Sequence, residues 1–352
     1  MSRVRTPLLV SAVTALVAGA VIAAPAQAIT AGSGTSTGTG RVFMVNPVQS
    51  SGDQNLTDQR DADAAVPASA YAEVVLRNLD GSGYLRGRWA TIRSNTGAAA
   101  YSTTNTFDYL RHDDRFEQVM GYFCVNQAQE YLQSLGFGTR LPAVNAHSQD
   151  LRIDQYGIDN SYQTDKQDFI RLGKGGVDDA EDAEVIVHEY GHAVHASQVP
   201  GFGTSLDAGS IGEGWGDYLA VTVGLDAAKQ YGWPVKAEQA CPMDWDATSY
   251  TGAPHCIRRF DTNLAVATRG NEVHYDGQIW SQALWEIRNG YVALGRSTRA
   301  WDTTLVASQF AYAPGTSFSA AAKATYDTAM TRDGTKIAGL VRSRFAARGI
   351  TF

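Results

Sequence analysis

The chain has 352 residues, 44% of them hydrophobic, and a formal net charge of −7. That length supports a sizeable core and two lobes, and the acidic balance argues against nucleic acid or an anionic membrane as partner. Three cysteines, Cys124, Cys241 and Cys256, are too few for a disulfide scaffold.

Arg3 and Arg5 precede an apolar run from Leu8 to Ala24 that ends in Ala26-Gln27-Ala28. A basic start, an apolar middle and a small-residue end read as a secretory signal over residues 1–28. An uncleaved anchor is the alternative, because about 17 residues lie at the lower limit for a span. The alanine-rich run and the A-x-A site favour cleavage. The signal holds two arginines and no acid, so the mature, extracellular chain from Ile29 carries −9 and has no membrane partner.

Residues 29–40, with "AGSGTSTGTG", read by composition as a flexible linker. From Arg41 to about Tyr109, short alternating runs such as "YAEVVL" and "YLRGRWATI", punctuated by "DGSG" and "SNTG", predict strands joined by turns. Helical spacing takes over from about Asp114 to Leu135 and makes Cys124 a buried free thiol. One or two short strands follow, around "DNSY" and "DFIRLG". A helix over about 178–197 opens on "VDDAEDAEVIV", whose acids suit its N-terminus. Beyond Ser197, helices are expected near 211–229, 274–289, 317–331 and 335–347. Cys241 and Cys256 flank a loop-like stretch and are the expected disulfide in an oxidising compartment. The fold class is α+β, with a β-rich lobe over 41–187, a central helix and a mostly helical lobe over 188–352.

The central helix carries "HEYGH". Four residues separate His188 from His192, which is ~40° around the axis and ~6 Å along it, so both imidazoles can face one ion. Glu189 then stands where a carboxylate can take a proton from water. This is the H-E-x-x-H pattern, and its flanks "VIV" and "AV" would leave two histidines half-buried without a partner. A catalytic zinc takes a third protein ligand. His195 lies ~10 Å further along the axis than His188, out of reach, and is expected to pack or face solvent. The positions three and six residues after His192 hold His195 and Gln198, which excludes a metzincin. "GSIGEGWGDYLA" offers Glu213, 21 residues after His192, as the third ligand. Asp217, one turn on, can accept from a metal histidine and fix its tautomer.

"HEYGH" followed by "GEGWGDYLA" resembles the gluzincin metallopeptidases of the thermolysin and fungalysin type, and the resemblance runs over roughly residues 110–290. It implies a zincin-like fold with the zinc helix between two lobes and one catalytic zinc held by His188, His192 and Glu213. Glu189 would be the general base and Asp217 the orienting partner. His274, in "EVHYDG", matches the histidine that steadies the oxyanion. Asn160 and Ser161 match the strand along which an extended substrate is laid. Arg258, with Arg259 as the alternative, matches the arginine that contacts substrate near the primed side. An apolar residue after the scissile bond would be preferred. Two departures stand out. No tyrosine lies between His192 and Glu213, where the thermolysin branch has one, and no long propeptide follows the signal. Calcium is a further candidate cofactor, through "VDDAED" or "NLDGSG", neither of which is a full EF-hand loop.

The leading expectation is a secreted, monomeric zinc endopeptidase acting on protein or peptide. An aminopeptidase of the same superfamily would need a Gly-x-Met-Glu-Asn motif, and none of the five methionines precedes Glu-Asn. A secreted binding protein on a dead peptidase fold would have lost Glu189 or Glu213, and both are present.

Overall fold

Ser36–Phe43, which includes half of "AGSGTSTGTG", is a β-strand (β1) in the computed structural model of this chain. The structure describes residues 36–94, 97–154 and 157–352, all within the unit Thr35–Phe352. The expected signal, residues 1–28, lies outside them. The linker expected over 29–40 is corrected over its second half. A Cβ on Gly40 would stand 2.7 Å from the Val119 side chain, so the glycine serves close packing of the strand. The threonines of the same stretch favour a pleated backbone.

β1 pairs antiparallel with β2 (Tyr71–Leu79), and after β3 (Ala90–Ser94) it gains a parallel neighbour in β4 (Thr106–Phe107). A short helix α1 (Pro47–Ser51) follows β1 and is capped by Asn46. α2 (Arg115–Leu135) is buried along most of its length and carries the free, buried Cys124. The second sheet has strand order β3-β5-β7-β6, from β5 (Gln149–Ile153), β6 (Tyr162–Thr164) and β7 (Phe169–Arg171). β6 runs antiparallel at its edge. Both sheets pack on α2, which stands against α3 (Ala183–Gln198) in turn.

α3 starts at Ala183, five residues later than 178, because Asp182 is extended and caps it, accepting from the Glu184 amide at 2.9 Å. Asp179–Glu181 form a 3-10 turn before it. Glu181 is fully buried against Arg111 at 2.7 Å, and removing one partner of such a pair costs about 3–5 kcal/mol. Four helices follow close to the expected places: α4 (Leu206–Tyr231), α5 (Val273–Ala293), α7 (Phe318–Asp333) and α8 (Thr335–Ala347). α6 (Thr298–Gln309) is an addition. Its threonines are weak helix formers, and buried Trp301 and Leu305 fix it instead. The arrangement is α+β with helices dominating after α3. No helix among the described residues is long and apolar enough to cross a membrane.

Candidate metal centre and cleft

α3 and α4 cross with almost no side chain between them. A Cβ on Gly216 would stand 2.6 Å from His188 Nδ1, and one on Gly191 would stand 3.0 Å from the Gly216 Cα. That approach brings Glu213 and Asp217, one turn apart on α4, against the two histidines of α3.

The Nε2 atoms of His188 and His192 are 3.1 Å apart, and they lie 3.3 and 3.5 Å from the two Glu213 carboxylate oxygens. Tetrahedral ligands at about 2.0–2.1 Å from one ion are themselves separated by about 3.3 Å, so this donor set fits zinc. Glu213 Oε2 is buried and lacks a hydrogen bond. The electrostatics agree. Burial opposes charge on His188, yet the carboxylates of Asp217 and Glu213 outweigh it and raise the imidazole to about 10. Burial opposes charge on Glu213 too, and His188 and His192 hold it well below the carboxylate range. His192 is pushed down by burial to about 4, which leaves a neutral imidazole with a lone pair to give.

Asp217 accepts from His188 Nδ1 at 2.9 Å and binds Arg258 through Nη2 at 2.6 Å and Nε at 2.7 Å. The guanidinium comes within 3.8 Å of Glu213. Arg258 therefore reaches the cleft with one edge committed to Asp217, and its first task is to hold that carboxylate ionised. Arg259 pairs with Asp261 and Glu238 away from the cleft.

A cavity of about 660 Å³ opens over these donors. Glu189 lines it, with burial as the main cause raising its carboxyl to about 7. His274 stands at the mouth with Nε2 3.7 Å from Glu213 Oε2. Glu272 caps α5, accepting from the His274 and Tyr275 amides, and the same carboxylate takes His274 Nδ1 at 2.6 Å. Glu272 fixes the ring with Nε2 toward the donors, a role the sequence reading missed. A glutamate at a helix N-cap two residues before the histidine was the available signal.

Asn160 and Ser161 line the cleft just before β6, and the Ser161 hydroxyl donates to Asp179. His195 is buried, and its ring lies 4.4 Å from Phe202 and 5.5 Å from Trp215, a packing role. The Cys241–Cys256 disulfide ties the segment that carries Arg258. Of the calcium candidates, Asp80 accepts from the Ser82 amide in a turn. Asp178 lies 3.6 Å from Lys174, Glu181 binds Arg111 and Asp182 caps α3. Asp179 instead faces Asp159 and Asp246 in the cavity wall beside Tyr250, a grouping absent from the sequence reading.

Residues 163–336 match the family described as fungalysin metallopeptidase (M36). Extracellular metalloproteinase 1 of Phaeosphaeria nodorum is 27% identical over 202 residues, covering 53% of this chain and 30% of that protein. Extracellular metalloproteinase 9 of Coccidioides posadasii is 29% identical over 121 residues, covering 31% of this chain and 18% of that protein. The chain thus matches less than a third of the length of these relatives. Among solved structures, the precursor of protealysin, a metalloproteinase from Serratia proteamaculans, superposes with a TM-score of 0.55 at 16% identity, covering 74% of this chain and 87% of that one.

Proposed function

We propose that this chain, by sequence match and fold a zinc metallopeptidase of the thermolysin/fungalysin type, is a secreted endopeptidase that hydrolyses internal peptide bonds. The observation that carries the reading is the convergence of His188, His192 and Glu213 at ligand spacing in a cleft that also presents Glu189 and His274. Zinc held by those three residues supplies Lewis acidity toward water and the scissile carbonyl. Glu189 takes the proton of the attacking water and can pass it to the leaving amine. His274 Nε2 donates to the oxygen on which negative charge develops, held in place by Glu272. Asp217 keeps the His188 tautomer that leaves Nε2 for the metal. With one edge bound to Asp217, Arg258 has its remaining donors for a substrate carbonyl. β6, at the edge of its sheet beyond Asn160 and Ser161, suits an extended segment that continues on both sides of the cut. The signal-like residues 1–28 support secretion, and relatives with "extracellular" in their names accord with it.

Metal analysis of the purified protein, with digestion of unfolded casein, tests the reading. One zinc per chain and internal fragments that vanish with chelator and return with zinc are expected. Stepwise release of single N-terminal residues would overturn the endopeptidase reading, and a metal-free protein that still cuts would overturn the zinc.

A further inference from the structure

Three carboxylates in the cleft wall remain without a counter-charge. Asp159, Asp179 and Asp246 each bring an oxygen within 4.8 Å of the others. Asp179 and Asp246 are 2% and 4% exposed, and Asp159 stands at the rim. One oxygen of Asp179 accepts from Ser161, and one of Asp246 accepts from the Tyr250 hydroxyl at 2.9 Å. The second oxygen of each is buried and unpartnered. Among the described residues no cationic side chain pairs with any of the three. The nearby Arg258 is bound to Asp217, and Lys174 is taken by Asp114 and Asp178. Burial, then repulsion from other acids, raises the Asp246 carboxyl well above its usual range; burial does the same to Asp179, up to about 7. Such a group gains from a cation brought from outside.

We propose that this recess receives the basic side chain, lysine or arginine, of a substrate residue flanking the scissile bond. The inference rests on the endopeptidase reading above and deepens it. Position supports it, because the three acids line the same cavity as His188, Glu189 and His274. The surroundings decide between a side chain and a metal ion. Val185, Met243 and Ile257 line the same cavity, and apolar surface leading to carboxylates matches a methylene stem with a cationic head. A hard divalent cation needs six to eight oxygens and gains nothing from that apolar surface. The Ser161 and Tyr250 hydroxyls beside the acids each already donate to one of them. This inference departs from the apolar residue after the cut that the family resemblance implies.

The test is to digest unfolded casein with the zinc-loaded protein, sequence the fragments, and measure kcat/KM on a peptide pair with lysine or norleucine at the enriched position. Lysine or arginine should occupy one fixed position beside most cuts. The lysine-to-norleucine ratio of kcat/KM should fall about 10-fold or more in Asp246→Asn and in the rim variant Asp159→Asn, with zinc content retained as the folding control. Cleavage without enrichment of basic residues would overturn the inference and leave the peptidase reading intact, whereas no cleavage by zinc-loaded protein would remove both. Calcium binding by calorimetry that Asp179→Asn abolishes, with an unchanged lysine-to-norleucine ratio, would make the recess a metal site and overturn the proposal.

Discussion

Glu213 and Asp217 are buried about as deeply as Asp179 and Asp246, yet His188 and Arg258 bring positive charge to the first pair while no cationic side chain among the described residues pairs with the second. The consequence shows in opposite directions. Internal cations hold Glu213 and Asp217 below the carboxylate range despite burial, and burial without a cation pushes Asp179 and Asp246 above it. A carboxylate kept ionised is ready for a metal at all times. One that lacks a counter-charge gains its partner only when a cation arrives, which suits recognition of a passing side chain.

The largest effect should come from breaking the matched set itself. Glu213→Ala leaves two imidazoles, and zinc content measured by atomic emission should fall to a small fraction of one per chain, with activity at background. Full occupancy in that variant would show that the metal is held elsewhere. Glu189→Gln leaves the matched set intact and removes the proton acceptor. Turnover should drop on the order of 10²–10⁴-fold with zinc unchanged, and wild-type turnover would strip Glu189 of its role. His274→Ala, at the mouth, should lower kcat about 10²–10³-fold with little change in KM, the pattern for a donor used near the transition state. A KM effect alone would make it a ground-state contact. Asp217→Asn weakens the internal matching without touching a ligand, and zinc affinity by competition with a chelator should fall about 10–100-fold. An unchanged affinity would mean that Arg258 and Asp217 serve only the packing of α4.

The two acidic groups were not equally legible. Glu213 and Asp217 sit on one helix at a turn's spacing, 21 and 25 residues after His192, so helical periodicity and ligand chemistry place them before any coordinates exist. Asp159, Asp179 and Asp246 come from the approach to β6, the 3-10 turn before α3 and the segment after α4. No local period relates them. Asp179 read alone as a dipole-favouring acid in "VDDAED", which is the cheapest local account of it. Glu272 fell between these cases, since its capping position is local while its contact with His274 depends on the α5 entry conformation.

By itself the sequence determined what depends on short-range geometry: the histidine spacing on α3, the second acidic helix, most of the helices after Ser197, and the pairing of Cys241 with Cys256 across a loop. Tertiary structure alone decided the rest. A run of glycine and threonine became β1 because α2 offers a surface that only a residue without a side chain can approach at Gly40. Arg258 turned to Asp217 because α4 carries that carboxylate one turn beyond Glu213, against His188. Three acids met in one wall because the strand, the turn and the disulfide-tied segment close around the same cavity. Periodicity reports which face of an element is buried, and only packing determines which charges end up facing each other across it.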